Sequence, residues 1–520
     1  MTLFTENQIE LASLPELRRR WRARYEALPV SLQHCLVAPV SFCRLEAAPE
    51  CLEGYRAVPC GDIAELPGRE WQRGDRFILD FGEHHVGFFR LAMRTAGRIC
   101  DSPVSLRLLA AEMPYELAFR HEAYHGRLSE AWVQEEHFKF DEMPLEVTLP
   151  RRYAARYLLV EIAATPSRLI FDRIEFDTVS AENRLVPPPP ELPELDREIF
   201  TVGCRTLRDC MQILLEDGPK RDRRLWLGDL FLEAKANAAT FRNTRVVERC
   251  MYLLAATARD DGSVAACAFD NPVTSPESFI PDYTLFFAPL LLDFLQTGGS
   301  LETVRELYPL ACQQFTCFRR YLAEDVCLHA DPLVWFFIDH GGVLATDTAE
   351  YGVYLYGLAH LQALAEQLGR KADAEECRRE IELWRPRIRR QALDASGVLL
   401  SGANRQLSVA SQIWGVLGGI LTPEEGLRAL ASTIGNPDAV QVFTPFLMHF
   451  LLEAYVVCGR RDLAIQTIRE YWGGMVKRGA ETFWEAFTLS GENMNIYEDM
   501  ALLSFCHAWS CTPCLFLAQP

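Results

Sequence analysis

The alternation of apolar and polar positions changes its period once along the chain. Before residue 186, apolar residues recur at every second position. Val104, Leu106 and Leu108 alternate with Ser105 and Arg107, and Leu169 and Phe171 are followed by Ile174 and Phe176 around a polar pair. A period of two turns one face of an extended strand toward a core. Arg76-Phe77-Ile78-Leu79-Asp80 and Leu158-Leu159-Val160-Glu161-Ile162 are further strand candidates, separated by Gly, Pro and Asp. Residues 1–185 are therefore expected to form an antiparallel β-sandwich, with a helical or irregular start before residue 30.

Beyond the prolines of Val186-Pro187-Pro188-Pro189-Pro190-Glu191-Leu192-Pro193 the period becomes helical. Consecutive prolines forbid both helix and ladder, so 186–196 reads as a linker. Leu358, Leu361, Leu364 and Leu368 then step by three and four, and Gly369 follows as a C-cap. Phe446 to Val457 predicts another helix ended by Gly459, and Asp462 to Tyr471 opens the next. Residues 197–520 have room for roughly a dozen helices at ordinary helix and loop lengths. A short repeat is not visible, which disfavours a regular solenoid. Paired helices closed into a toroid would gather their loops around a central pocket.

Composition narrows the function. A net charge of −18 on 520 residues disfavours nucleic acid and anionic membrane surfaces as partners. The longest apolar stretch, Leu285 to Leu295, is interrupted by Pro289 and Asp293 and is too short to cross a bilayer. Met1 to Arg20 carries no apolar run of the secretory kind. The 17 cysteines, an odd number without framework spacing, fit free thiols in a reducing cytoplasm. Cys511-Thr512-Pro513-Cys514 has redox spacing, yet no second pair completes a zinc site, so idle thiols and no metal or cofactor are expected.

Candidate chemistry concentrates in Glu216-Asp217-Gly218-Pro219-Lys220-Arg221-Asp222-Arg223-Arg224-Leu225-Trp226-Leu227-Gly228-Asp229. If a helix runs from Asp222 onward, Asp222, Trp226 and Asp229 share one face at i, i+4 and i+7. Asp217 would cap the turn and Pro219 would suit a first helical position. Arg221, Arg223 and Arg224 are either surface charges or clamps on these acids. A second cluster holds Glu481, Trp484 and Glu485, then His507 and Trp509. Two carboxylates from distant positions, framed by aromatics, are what glycoside hydrolysis requires. A non-catalytic carbohydrate-binding protein, or a toroid-fold hydrolase or epimerase of another sugar, would show the same features.

The Asp217–Asp229 segment resembles the signature of the bacterial α-L-rhamnosidases, glycoside hydrolase family 78. So do Ala480-Glu481-Thr482-Phe483-Trp484-Glu485, the stretch ending at Trp509, and Asp80-Phe81-Gly82-Glu83-His84-His85-Val86-Gly87. The resemblance implies a mainly α, multidomain protein: an (α/α)6 toroid catalytic barrel behind an antiparallel β-sandwich. It implies an inverting exo-glycosidase releasing terminal α-L-rhamnose, with Asp217, Arg221, Trp226 and Asp229 holding the sugar and His507 nearby. Glu485 would be the general base, with Glu481 as a rival. Where many family members read Arg-Asp-Glu-Arg-Leu-Gly-Trp with the glutamate as general acid, this segment reads as one residue shorter with an arginine in the glutamate's place. The acid role is then expected of Asp222, roughly 6.5–9.5 Å from Glu485. That role would require the three arginines to point away or pair elsewhere. Tyr283, Trp335 and Asp339 resemble pocket-lining stretches, with core packing an equal reading for each. Small imported rhamnosides (disaccharides, flavonoid glycosides) are the expected substrates. The pocket mouth would be open, or covered by a second copy in a homodimer.

Overall fold

The structure, a computed structural model, describes residues 3, 4, 7, 9–97, 101–276, 279–329, 334–340, 344–490 and 494–518. Among the described residues, nine antiparallel strands precede the proline segment. They are β1 Gln33–Val37, β2 Ser41–Ala47, β3 Tyr55–Gly61, β4 Arg76–Thr95, β5 Val104–Ala111, β6 Glu135–Phe140, β7 Leu145–Thr148, β8 Tyr153–Ala164 and β9 Leu169–Ser180. All the predicted strand segments lie within β4, β5, β8 and β9. The main hydrogen-bonded order is β1-β9-β4-β8-β5-β6, with β2, β3 and β7 branching from it.

The long β4 explains the branching. Its first residues, Arg76 to Asp80, pair with β8, and Ser41 to Cys43 of β2 lie on their other side. From Gly87 onward β4 pairs with β9, and from Arg90 with β7 as well. The Asp80–Gly87 motif is the point of exchange. Gly82 takes φ 86°, a conformation that costs a side chain dearly. A Cβ on Gly87 would stand 2.1 Å from the Asp177 carbonyl oxygen, so only glycine lets β9 approach. Phe77, Leu79, Phe89, Leu91, Leu106, Leu158, Phe171 and Phe176 meet in the core that results.

Among the described residues there are 14 α-helices. The first, α1 (Leu14–Glu26), buries Trp21 and Tyr25 in the helical core rather than in the β core, and Arg249 donates to the Tyr25 carbonyl at 2.9 Å. The second, α2 (Glu194–Cys210), begins inside the expected linker. Leu358, Leu361 and Leu364 of the predicted stripe lie in the helix Asp347–Gln367, Leu368 is its C-cap, and Gly369 follows at φ 72°. Pro445–Val457 and Arg461–Lys477 account for the other two predicted helices.

Buried charges join the two parts. His84 of β4 bridges Asp209 of α2 (2.7 Å) and Glu112 (3.2 Å). Lys220 donates to Glu116 at 2.8 Å and to the Leu503 carbonyl at 2.5 Å. Arg156 grips both oxygens of Asp80 and reaches Glu481 at 2.8 Å. Charges so placed persist only when paired. No described helix is long and apolar enough to cross a membrane.

Candidate active site

A cavity of about 360 Å³ opens where the loops of the helical part meet the β domain. Its lining includes Asp217, Arg221, Asp222, Trp226, Asp229, Tyr283, Trp335, Glu485 and His507. Nine of the ten sequence candidates thus converge. The exception is Asp339, whose oxygens accept from the Phe443 and Thr444 amides and the Thr444 hydroxyl. It fastens the start of the Pro445–Val457 helix instead of facing the cavity.

The helix expected from Asp222 is not there. Asp217 accepts from the Arg224 amide at 2.9 Å and the Asp222 amide at 3.3 Å, folding residues 217–224 into a turn. A side-chain acceptor that close competes with helical hydrogen bonding. Arg223 adopts φ 64°, and a Cβ on Gly218 would lie 2.5 Å from the Arg221 carbonyl oxygen. Trp226 sits on a two-residue strand, β10 (Leu225–Trp226), paired with Cys267–Ala268. Only then does α3 (Leu227–Ala239) begin, with Asp229 in its first turn. Turn, strand and helix end bring together what the sequence spacing assigned to one helix face.

Glu485 is 2% exposed and fully engaged. Arg221 Nη2 lies 2.7 and 2.6 Å from its two oxygens, the Tyr497 hydroxyl donates at 2.6 Å, and the Ser504 amide donates at 3.0 Å. Burial pushes the carboxyl up, but the Arg221 guanidinium and its hydrogen bonds outweigh that and hold it at about 2. Arg221 in turn sends Nη1 to Asp222 at 3.2 Å and Nε to the Leu502 carbonyl at 2.9 Å. One guanidinium therefore stands between the two candidate catalytic carboxylates. Arg224 Nη1 also faces Asp222, at 3.6 Å. Of the three arginines expected to point away or pair elsewhere, Arg223 turns to the Arg152 carbonyl and Arg221 pairs with Glu485, while Arg221 Nη1 and Arg224 still face Asp222.

The remaining acids carry protons. Burial, then the neighbouring Asp222, pushes Asp217 up to about 8. Burial and the Asp217 charge drive Asp229 well above the ordinary carboxyl range. Burial holds the His507 imidazole down at about 3, hence neutral. Its Nδ1 lies 3.7 Å from Asp229 Oδ1, too far for a hydrogen bond, and both atoms are buried without a partner. Buried polar atoms left unpaired in a cavity wall are suited to sugar hydroxyls. Trp226, Tyr283, Phe337 and Trp509 supply apolar faces.

The rival Glu481 lies at the domain junction, paired with Arg156 and Arg205, and does not line the cavity. Several lining residues were not legible in the sequence: Tyr497, which touches Glu485, and Arg127, Leu128 and Trp132 from the loop between β5 and β6. Nothing in their local sequence marks them, because what places them is packing between domains. Among the described residues, His84, Asp209 and Cys506 are close enough to share a metal ion, but both His84 ring nitrogens are taken by carboxylates. The described cysteines are all free, and burial pushes the Cys511 and Cys514 thiols well up, leaving them unreactive.

Residues 39–181 match the family model described as the glycosyl hydrolase family 78 alpha-rhamnosidase N-terminal domain. Residues 195–520 match the bacterial alpha-L-rhamnosidase 6 hairpin glycosidase domain. The chain is similar to a rhamnosidase from Klebsiella oxytoca with rhamnose bound, at 38% identity and TM-score 0.92, over 96% of this chain and 98% of that one. It shares its fold with a family 78 rhamnosidase of Bacillus sp. GL1 (20% identity, TM-score 0.75, 89% of this chain and 49% of that one). The same holds for a Streptomyces avermitilis alpha-L-rhamnosidase complexed with L-rhamnose (15%, 0.67, 94% and 44%). No curated protein matches the chain.

Proposed function

Because the chain belongs to glycosyl hydrolase family 78, the bacterial α-L-rhamnosidases, and is a glycoside hydrolase, we propose that it removes terminal α-L-rhamnose from small rhamnosides with inversion. The observation that carries the reading is the single cavity in which Asp217, Arg221, Asp222, Trp226, Asp229, Glu485 and His507 meet. A cavity of about 360 Å³ suits a single sugar unit, which supports exo action.

In this reading Asp229, His507 and Asp217 take the hydroxyls of the ring, and Trp226 and Tyr283 take its C–H face. Asp222 protonates the departing oxygen. Glu485, ionised and aimed by Arg221 and Tyr497, deprotonates a water and faces the positive charge that develops on the ring. Arg221 standing between the carboxylates favours a water-sized gap over direct attack, which supports inversion. Free thiols support a reducing cytoplasm as the working compartment.

A specific observation favours a second assignment of the acid. Asp217 is pushed up to about 8 and so holds a proton at neutral pH, while two guanidinium groups face Asp222. In that version Asp217 supplies the proton and Asp222 shapes the site. The deciding experiment is hydrolysis of p-nitrophenyl α-L-rhamnoside beside the α- and β-glucosides, with NMR of the first-formed sugar. Selective turnover with β-L-rhamnose appearing first is expected. Micromolar rhamnose binding without turnover would overturn the enzymatic reading, and α-L-rhamnose appearing first would overturn inversion.

A further inference from the structure

Charge in the cavity runs against the rest of the chain. On a protein of net charge −18, the lining carries three arginines, Arg127, Arg221 and Arg224, beside Asp217, Asp222, Asp229 and Glu485. Burial raises Asp217 and Asp229, with Asp222 adding to the first and Asp217 to the second, so both hold protons, and burial keeps His340 and His507 neutral. Inside the cavity the cations are matched: Arg221 serves Glu485 and Asp222, and Arg224 faces Asp222. The surplus sits at the mouth. Arg127 is exposed and has no ion pair among the described residues; its guanidinium lies 5.6 Å from the centre of the Tyr497 ring.

Aromatic residues share the cavity lining with that cation. Trp335 is 50% exposed, an unusual state for an indole, and is held edge-on against Phe337 with ring centres 5.1 Å apart. Trp132 is half-buried in the same lining, from the same β-domain loop as Arg127. That loop is fastened to the helical part at two points. The Arg127 amide donates to the Tyr497 carbonyl at 3.1 Å, and the Tyr115 hydroxyl donates to the Met500 carbonyl at 2.5 Å. The β domain thus supplies Arg127, Leu128 and Trp132 to the outer wall of the cavity, and Trp335 of the helical part completes it.

Resting on the rhamnosidase reading above, we propose that this outer wall is a subsite for an anionic leaving group, a uronic acid whose carboxylate meets Arg127 and whose ring stacks on Trp335. A planar guanidinium grips a carboxylate through two hydrogen bonds, and an exposed indole takes the apolar face of a sugar ring. A neutral aglycone would use the tryptophans alone and leave the cation without a role. The cationic mouth also draws an anionic substrate toward an otherwise acidic protein, an effect that salt screens.

The test compares two disaccharides of one linkage, rhamnosyl-glucuronate and rhamnosyl-glucose, by release of L-rhamnose. The uronate is expected to be favoured at least tenfold in kcat/KM at low salt, with the preference shrinking as salt is added. Arg127→Gln is expected to bring the ratio of the two substrates close to one, and Trp335→Ala to raise KM for both. Equal kcat/KM values in the parent enzyme, or a preference that survives Arg127→Gln, would overturn the subsite. Failure of both disaccharides and of p-nitrophenyl rhamnoside would instead overturn the rhamnosidase reading on which it rests.

Discussion

Replacing Glu485 by Gln removes one charge while keeping the shape of the side chain, and two consequences follow at different scales. The parent carboxylate binds Arg221, Tyr497 and the Ser504 amide, all within a site where Arg221 is only 3% exposed. Neutralising it leaves Arg221 buried, with Asp222 at 3.2 Å as its remaining charged partner. Breaking a buried ion pair costs about 3–5 kcal/mol. The lower end applies, because the amide oxygen still accepts hydrogen bonds, and a drop in Tm of several degrees is expected. Loss of the base costs about 10²–10⁴ in kcat, roughly 3–5 kcal/mol on the barrier. Initial rates of L-rhamnose release at saturation measure the second effect, and a thermal melt measures the first. Azide offers a chemical check, since a small anion entering where the water attacks needs no base and would yield a rhamnosyl azide of inverted configuration. A variant that melts lower yet keeps kcat within tenfold of the parent would refute the reasoning, because Glu485 would then be a structural anchor for Arg221 and nothing more.

Asp222→Asn should lower kcat by about 10²–10⁴ on a rhamnosyl-glucose and far less on p-nitrophenyl rhamnoside, whose leaving group needs little protonation. If Asp217→Asn shows that leaving-group pattern and Asp222→Asn does not, the acid is Asp217. The pH dependence of stability should also report on Asp217. Its folded value near 8 exceeds the ordinary carboxyl value of about 3.9, so the native state holds the proton more tightly and stability falls as pH rises from about 4 to about 8. Tm of Asp217→Asn measured across that window should fall less steeply than the parent's, and equal slopes would contradict the assignment. Lys220→Met should destabilise by about 3–5 kcal/mol, because Glu112 and Glu116 lose their shared cation and the Leu503 carbonyl loses its donor. Its kcat should fall as well, since that loop positions Ser504 and His507. A melt unchanged from the parent would show that the network is not needed.

The sequence by itself determined the elements and most of the chemistry. Alternation by two marked β4, β5, β8 and β9, and stepping by three and four with a terminal glycine marked the helices Asp347–Gln367 and Pro445–Val457, because these periods record which face of a local element meets a core. Crowded acids, arginines and tryptophans marked nearly every inner residue of the cavity. Tertiary structure alone decided how those residues face one another. Spacing puts Asp222, Trp226 and Asp229 on one face only if a helix starts at Asp222, and it cannot show that the Asp217 carboxylate captures two backbone amides and turns the chain. For Asp339 the sequence leaves pocket and packing roles equally open, because an acid beside aromatics looks the same whether it faces a sugar or caps a helix. Tyr497, Arg127 and Trp132 carried no local signal at all. They belong to the site only because buried ion pairs such as His84–Asp209 and Lys220–Glu116 lock the β domain against the helices, and contacts between segments hundreds of residues apart leave no periodicity to read.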